Sequence, residues 1–276
     1  MENSRSNIRT ILLILALIWL SYFIYQAEPQ DKNIFAEEAK DYVTLPIEWG
    51  NLGKELIDSG VIDEEAFRKL YEKRDGVPED VDALFSASYR DKVRVTKENA
   101  PYLLNIFWAF GFGNKNPILE EGPIAISKTP VSNFASTGGW SLATGDNMGH
   151  FSKHQFVTLT KKDQALVEEV AKNIYRPCCG NSTYFPDCNH GMAMLGLLEL
   201  MAANGTSEEK MYEIALAVNT LWFPDSYELI NRYIEEKNIP ATPKEILSAD
   251  FSSGKGIKKI KDALKDQKTG GASCGV

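Results

Sequence analysis

The second half of the chain carries helix start and stop signals at close intervals, and these signals constrain the fold most. Thr160 followed by Asp163 matches the residues of a helix N-terminus, and Gly205 is a residue that commonly terminates a helix. Thr206 followed by Glu209 repeats the start signal directly afterwards. The predicted helices of this half cover residues 160–175, 191–204, 207–222 and 225–237.

The first half contains one further long helix pattern, over residues 97–110. It is apolar on most sides, which predicts a central position in the core. Thr96 is the expected N-cap, and Gly111 and Gly113 are expected to end the helix. Strand-like patterns are confined to residues 92–95 and 155–159. We therefore predict a mainly α fold, a helical globular domain behind one N-terminal transmembrane helix.

The N-terminus has the pattern of a membrane anchor. Arg5 and Arg9 precede an uncharged, mainly apolar stretch over residues 10–27, which is long enough to span a bilayer. The basic residues before it place the N-terminus in the cytoplasm and the body outside, in the periplasm or at the cell surface. A cleaved signal peptide is the alternative, although Tyr25 stands where a cleavage site requires a small residue.

Composition changes along the chain suggest four parts. They are an anchor or signal peptide at 1–30, a spacer with a helical pair at 31–92, a helical core domain at 93–250 and a basic, Gly-rich tail at 251–276. The formal net charge of -8 and the lack of a basic stripe argue against a nucleic-acid partner. No pattern of a catalytic triad or a phosphate-binding loop assigns an enzymatic activity, and Glu199 is expected to be solvated or paired with a lysine.

Soft metal-binding side chains are concentrated in one short stretch. The chain has 4 cysteines and 3 histidines, and Cys178, Cys179, Cys188 and His190 follow one another within thirteen positions. The first two cysteines are expected to end the helix that starts at residue 160. Cys188 is expected at the N-terminus of the next helix, where the helix dipole favours a thiolate.

Thiolate and imidazole ligands suit copper or zinc, and iron can also bind such a set. Met194 shares a helix face with His190, and two histidines upstream can join the site. The predicted metal ligands are Cys178, Cys179, Cys188, His190, Met194, His150 and His154.

The irregular segment over residues 111–150 is rich in Gly, Pro, Ser, Thr and Asn. Its apolar residues, such as Phe134 and Trp140, argue against disorder. We predict an ordered loop that lies over the cysteine cluster.

Two other interpretations of the cysteines remain open. Outside the cytoplasm, Cys188 can form a disulfide with Cys178 or Cys179, or can act in thiol–disulfide exchange. Cys274, near the C-terminus, is expected to be a separate exposed thiol, and a fourth thiolate of the cluster is the alternative. The sequence thus favours a membrane-anchored, extracytoplasmic protein that binds copper or zinc, with a metal-donor or redox protein as its partner. The alternatives are a thiol–disulfide redox protein and a disulfide-stapled interaction domain.

Overall fold

The computed structural model describes Trp19 and residues 42–269 of the chain, and these residues are mainly helical, as predicted. Residues from 42 onward belong to a compact unit, Asp41–Val276. The α-helices are α1 (Leu52–Asp58), α2 (Glu64–Tyr71), α3 (Glu79–Asp82), α4 (Ala100–Gly113), α5 (Pro117–Glu120), α6 (Lys161–Asn173), α7 (Asn189–Ala203), α8 (Glu208–Trp222), α9 (Pro224–Lys237), α10 (Pro243–Ile246), α11 (Ala249–Ser252) and α12 (Gly254–Thr269).

Side-chain caps explain where the long helices α6 and α8 begin. Thr160 and Asp163 form the predicted capping box of α6, in which each side chain accepts a hydrogen bond from the other residue's backbone N–H. Helix α8 begins one residue later than its start signal predicts. Ser207 caps it by accepting a hydrogen bond from the N–H of Lys210, while the Thr206 hydroxyl donates to the carbonyl of Pro46.

Helix α4 lies in the core, as its apolar sequence predicts, but both of its predicted ends are wrong. Thr96 and Asn99 exchange hydrogen bonds before the helix, since each side-chain oxygen accepts from the other's backbone N–H, at 3.2 Å and 2.8 Å. This closed turn delays the helix to Ala100. Gly111 and Gly113 do not terminate the helix but form its last turn.

Helices α4 and α7 make the most extensive contact among the described elements, and two glycines allow their backbones to touch. A Cβ atom on Gly111 would lie 2.4 Å from the carbonyl oxygen of Met192, and one on Gly196 would lie 2.6 Å from that of Phe107. Any side chain at these positions would push the helices apart. Almost every residue of α7 is buried, so this helix forms the centre of the core.

The described β-structure is one short antiparallel pair. Strand β1 (Tyr42–Thr44) pairs with β2 (Arg94–Thr96), and Tyr42 lies opposite Thr96. The second predicted strand, over residues 155–159, is not formed. That segment instead follows an isolated bridge between Asn114 and His154.

The segment over residues 111–150 is ordered and mostly irregular, with α5 and short 3-10 turns inside it. Trp140 is buried and donates its indole N–H to the carbonyl of Val61 at 2.9 Å. Earlier in the same segment, the ring of Phe134 packs edge-on against Phe185, with ring centroids 5.5 Å apart. The loop therefore reaches the residues that immediately precede Cys188.

Glu199 lies in the centre of the core, so the expectation that it is solvated is wrong. Its Oε2 atom accepts a hydrogen bond of 2.5 Å from the Asn114 side chain, and its Oε1 atom has no hydrogen-bond partner in the described part of the protein. Burial raises the pKa of Glu199 to about 8. The side chain is thus largely protonated at neutral pH.

No helix in the described residues combines the length and apolar character needed to cross a membrane. The predicted anchor over residues 10–27 lies outside the described residues, apart from Trp19.

Candidate metal centre

The loop between α6 and α7 folds back on itself and brings its two ends together. Helix α6 ends at Asn173, so Cys178 and Cys179 lie in this loop and the prediction that they end the helix is wrong. Halfway along the loop, the N–H of Thr183 donates to the carbonyl of Ile174 at 2.8 Å. This reversal returns the chain to Cys188, which is the N-cap residue of α7.

Arg176 holds the folded loop together from inside. Its side chain is 1% exposed, and its guanidinium donates to the Cys188 Sγ atom at 3.0 Å and to an Asp187 carboxylate oxygen at 2.7 Å. It also donates to the backbone carbonyls of Asn181 and Phe185. A single buried cation therefore joins both ends and the middle of the loop.

Gly191 makes room for this cation in the first turn of α7. A Cβ atom at this position would lie 2.3 Å from an Arg176 Nη atom. The glycine lets the guanidinium lie directly against the helix backbone, next to Cys188.

The three sulfur atoms lie close enough to share one ion. The Sγ atoms of Cys178, Cys179 and Cys188 all lie within 4.8 Å of one another, and no disulfide joins these three residues. The Cys178 and Cys188 Sγ atoms are 3.6 Å apart. Two thiolates bound to a tetrahedral zinc ion at about 2.3 Å lie about 3.8 Å apart, so this spacing suits metal coordination.

Cys188 is the sulfur with the strongest tendency to ionise. Hydrogen bonds from the Cys178 and Cys179 thiols lower the pKa of Cys188 well below its ordinary value, and His190 and Arg176 lower it further. The pKa of Cys178 is raised because its thiol hydrogen bonds to Cys179 and Cys188. These contacts favour the thiolate form at Cys188 over the thiolate forms of the other two cysteines.

The backbone of the cysteine loop is tied to the C-terminal helix. The N–H of Gly254, the first residue of α12, donates to the carbonyl of Cys179 at 2.9 Å. Cys179 in turn donates its own N–H to the carbonyl of Arg176.

Two other predicted ligands, His190 and Met194, lie on α7 but outside the group of three sulfur atoms. His190 is in the first turn of α7, where its ring packs against Phe223 with centroids 4.4 Å apart, and it is not part of the group of clustered ligand atoms. Met194 is buried about one turn farther along the helix, and the described contacts do not place its sulfur in the group. Cys274 lies outside the described residues.

His150 and His154 form a pair of their own. The Nδ1 atom of His150 lies 3.1 Å from the Nε2 atom of His154, and the other ring nitrogen of His150 contacts the carbonyl of Thr144. The bridge to Asn114 places His154 near the Glu199 end of α7. Glu199 is eleven residues beyond Cys188, about 16 Å along the helix. The structure does not bring this pair to the cysteines.

The structure thus joins three of the seven predicted ligands in a group that can hold a metal ion. The role of Arg176 was not predicted from the sequence. A signal was present, because a charged residue comes shortly before Cys178 and another comes directly before Cys188, namely Arg176 and Asp187. We found no protein-family model, curated protein or solved structure that matches this chain.

Proposed function

We propose that this protein holds a thiophilic transition metal ion, copper(I) or zinc(II), through Cys178, Cys179 and Cys188. The observation that carries the proposal is the convergence of the three Sγ atoms within 4.8 Å of one another. Thiolate sulfur favours these ions over magnesium or calcium, which bind oxygen ligands. Iron is a further ion that the same donors accept.

Arg176 provides the charge balance that such a site needs. Three thiolates carry three negative charges, which leaves a net charge of about -2 with copper(I) and about -1 with zinc(II). Partly buried negative charge is costly unless an opposite charge lies beside it. The buried guanidinium, 3.0 Å from the Cys188 Sγ atom, supplies that charge and also prepares the first thiolate for the incoming ion.

The two ions differ in what they require beyond the three cysteines. Copper(I) is stable with three thiolates, whereas zinc(II) takes four ligands in structural sites. His190 lies two residues beyond Cys188 and is the proposed fourth ligand for zinc. A histidine-dependent zinc site and a histidine-independent copper site are therefore the two forms of the proposal.

We place this metal site outside the cytoplasm, on a body attached to the membrane through the N-terminal apolar stretch. The arrangement of Arg5 and Arg9 before the stretch supports this orientation. An extracytoplasmic metal site would receive or pass on its ion through a second protein.

The direct test is elemental analysis of the full chain, purified without oxygen after exposure to a mixture of metal salts. We expect about one copper or zinc ion per chain in the wild type and loss of that ion in Cys188→Ser. Cys274→Ser is the matched control, because the proposal gives this cysteine no ligand role, and it should retain the ion. Equal metal contents in the two variants would contradict the proposal.

Thiol–disulfide exchange is a second candidate, favoured by the 3.6 Å between the Cys178 and Cys188 Sγ atoms. In such a reaction, the Cys188 thiolate attacks a partner's disulfide and forms a mixed disulfide. Cys178 then loses its proton and displaces the partner's sulfur, so the partner gains two electrons and is released as a dithiol while Cys178 and Cys188 become joined.

Alkylation of the metal-free protein in a series of dithiol redox buffers separates the candidates. Exchange predicts that Cys178 and Cys188 become protected together at one buffer potential. A stapled interaction domain predicts that they stay protected until the fold is lost. Metal binding alone predicts that added zinc or copper protects both from the reagent under fully reducing conditions.

A further inference from the structure

A cavity of about 290 Å³ opens beside the metal centre, on the other side of His190. Residues of α2, α4, the first turn of α7 and the end of α8 line it. Its volume is at the lower end of the range for small-molecule sites, which suits a small metabolite better than a peptide. Leu104, Leu221 and Trp222 provide an apolar wall.

The charge of the cavity is positive. Arg74 lines it, and none of the described residues that line it is acidic. Arg74 forms no ion pair with a described residue, although the whole chain has a formal net charge of -8. Arg74 is exposed and lines the cavity, and a guanidinium without an ion pair can bind a carboxylate or phosphate through paired hydrogen bonds.

The remaining polar groups of the cavity divide into satisfied and unsatisfied ones. The Tyr71 hydroxyl accepts a hydrogen bond of 2.6 Å from the Asn105 side chain and donates one of 3.4 Å to the carbonyl of Pro101, so this hydroxyl is satisfied. The Nδ1 atom of His190 is buried and has no hydrogen-bond partner in the described part of the protein. A buried polar atom of this kind is stabilised when a ligand of the cavity or an ion at the cysteines supplies the missing partner.

We propose that this cavity binds a small organic anion with a flat apolar body. Its acid group would pair with Arg74, and its body would lie against Leu104 and Trp222, beside the ring of His190. The inference stands on the cavity and its charge, and does not depend on metal binding at the cysteines.

Calorimetric titration of the full-length chain with 1-naphthoate tests the proposal, with the uncharged 1-naphthamide as the matched probe. We expect saturable binding of one naphthoate per chain and binding of the amide that is weaker by about tenfold or more, since a charge-assisted hydrogen bond is lost. Arg74→Gln should weaken naphthoate by a similar factor and leave the amide unchanged. Arg74→Lys, which keeps the charge, should bind naphthoate more tightly than Arg74→Gln.

Lys73→Gln is the control for charge alone, since Lys73 is the exposed neighbour of Arg74 and does not line the cavity. It should bind naphthoate as the wild type does, and circular dichroism should show the same helix content in all variants. The proposal is overturned if the two probes bind equally, if Lys73→Gln and Arg74→Gln lose the same affinity, or if naphthoate does not bind. Metal content measured on the same samples shows whether the metal site is intact. A failure of the anion-binding proposal can therefore be distinguished from a failure of the metal-binding proposal.

Discussion

At the scale of single residues, Arg176 decides the shape of the cysteine loop. It is a buried cation whose partners include the Cys188 sulfur, a carboxylate and two backbone carbonyls. Its removal would leave several buried groups without hydrogen-bond partners. The resulting loss in free energy of unfolding should be larger than the loss from breaking one exposed ion pair.

We expect Arg176→Met to lower the free energy of unfolding by about 3–5 kcal/mol, because Asp187 and the Cys188 thiolate lose their common partner. Arg68→Met is the control, since Arg68 forms ion pairs with Glu64 and Asp82 at the surface, and it should cost about 1 kcal/mol or less. Urea unfolding of both variants measures the two losses. Equal losses would show that Arg176 has no special role in stability.

The raised pKa of Glu199 should make the stability of the protein depend on pH. The substitution Glu199→Gln should remove this dependence. Its pKa is about 8 in the folded protein and its ordinary value is 4.5, so between these values the folded state holds a proton that the unfolded state has released. This contribution to stability is complete below pH 4.5 and decreases as pH rises, by about 1.4 kcal/mol per pH unit, until it levels off above pH 8.

Glu199→Gln should therefore become more stable relative to the wild type as pH rises from 4.5 to 8. Urea unfolding at several pH values in this interval measures the difference. Glu213→Gln, at an exposed position of α8, is the control for replacing a carboxyl group with an amide. A difference for Glu199→Gln that does not change with pH would contradict the raised pKa of this carboxyl group.

Neither of these residues could be recognised from the sequence. Arg176 stands in a loop without periodicity, and two of its partners are backbone carbonyls whose positions depend on the folded loop. Glu199 was expected to be solvated because carboxylates in helices usually are, but α7 is buried on all sides. The cysteines could be recognised because their residue type limits their chemistry.

At the scale of the helices, the contact of α4 with α7 depends on small residues. We expect Gly111→Ala to lower the free energy of unfolding by about 1–3 kcal/mol, because the new methyl group would meet the Met192 carbonyl and overpack the contact. Gly149→Ala is the control, since no atom lies within 4 Å of its added Cβ. Thermal unfolding measures both. A loss for Gly111→Ala no larger than for Gly149→Ala would mean that the two helices can separate freely.

The helices themselves were predictable because their signals are local. Thr160 with Asp163 marks a start that the structure confirms, through hydrogen bonds within three residues of the cap. The ends of α4 were not predictable in the same way. Gly111 resembles a helix terminator in the sequence. In the structure, a glycine is needed there because the backbone of α7 lies too close for a side chain.

At the scale of the whole molecule, the proposed membrane attachment makes a simple prediction. The full chain should sediment with membranes and remain there after a high-salt wash, because an apolar span is not released by ionic strength. A variant that lacks residues 1–30 should appear in the supernatant. Immunoblots of the two fractions measure this, and release of the full chain by salt would contradict an apolar anchor.

The hydrogen bond from Gly254 to the carbonyl of Cys179 connects metal occupancy with the far end of the chain. An ion that immobilises the cysteines also immobilises the Cys179 carbonyl, which accepts the hydrogen bond from the start of α12. The helix then loses less conformational entropy when it docks against the loop. Loaded and empty forms should then differ in how fast amide hydrogens at the start of α12 exchange with deuterium. The C-terminal helix would thus report the state of the cysteines without touching the ion.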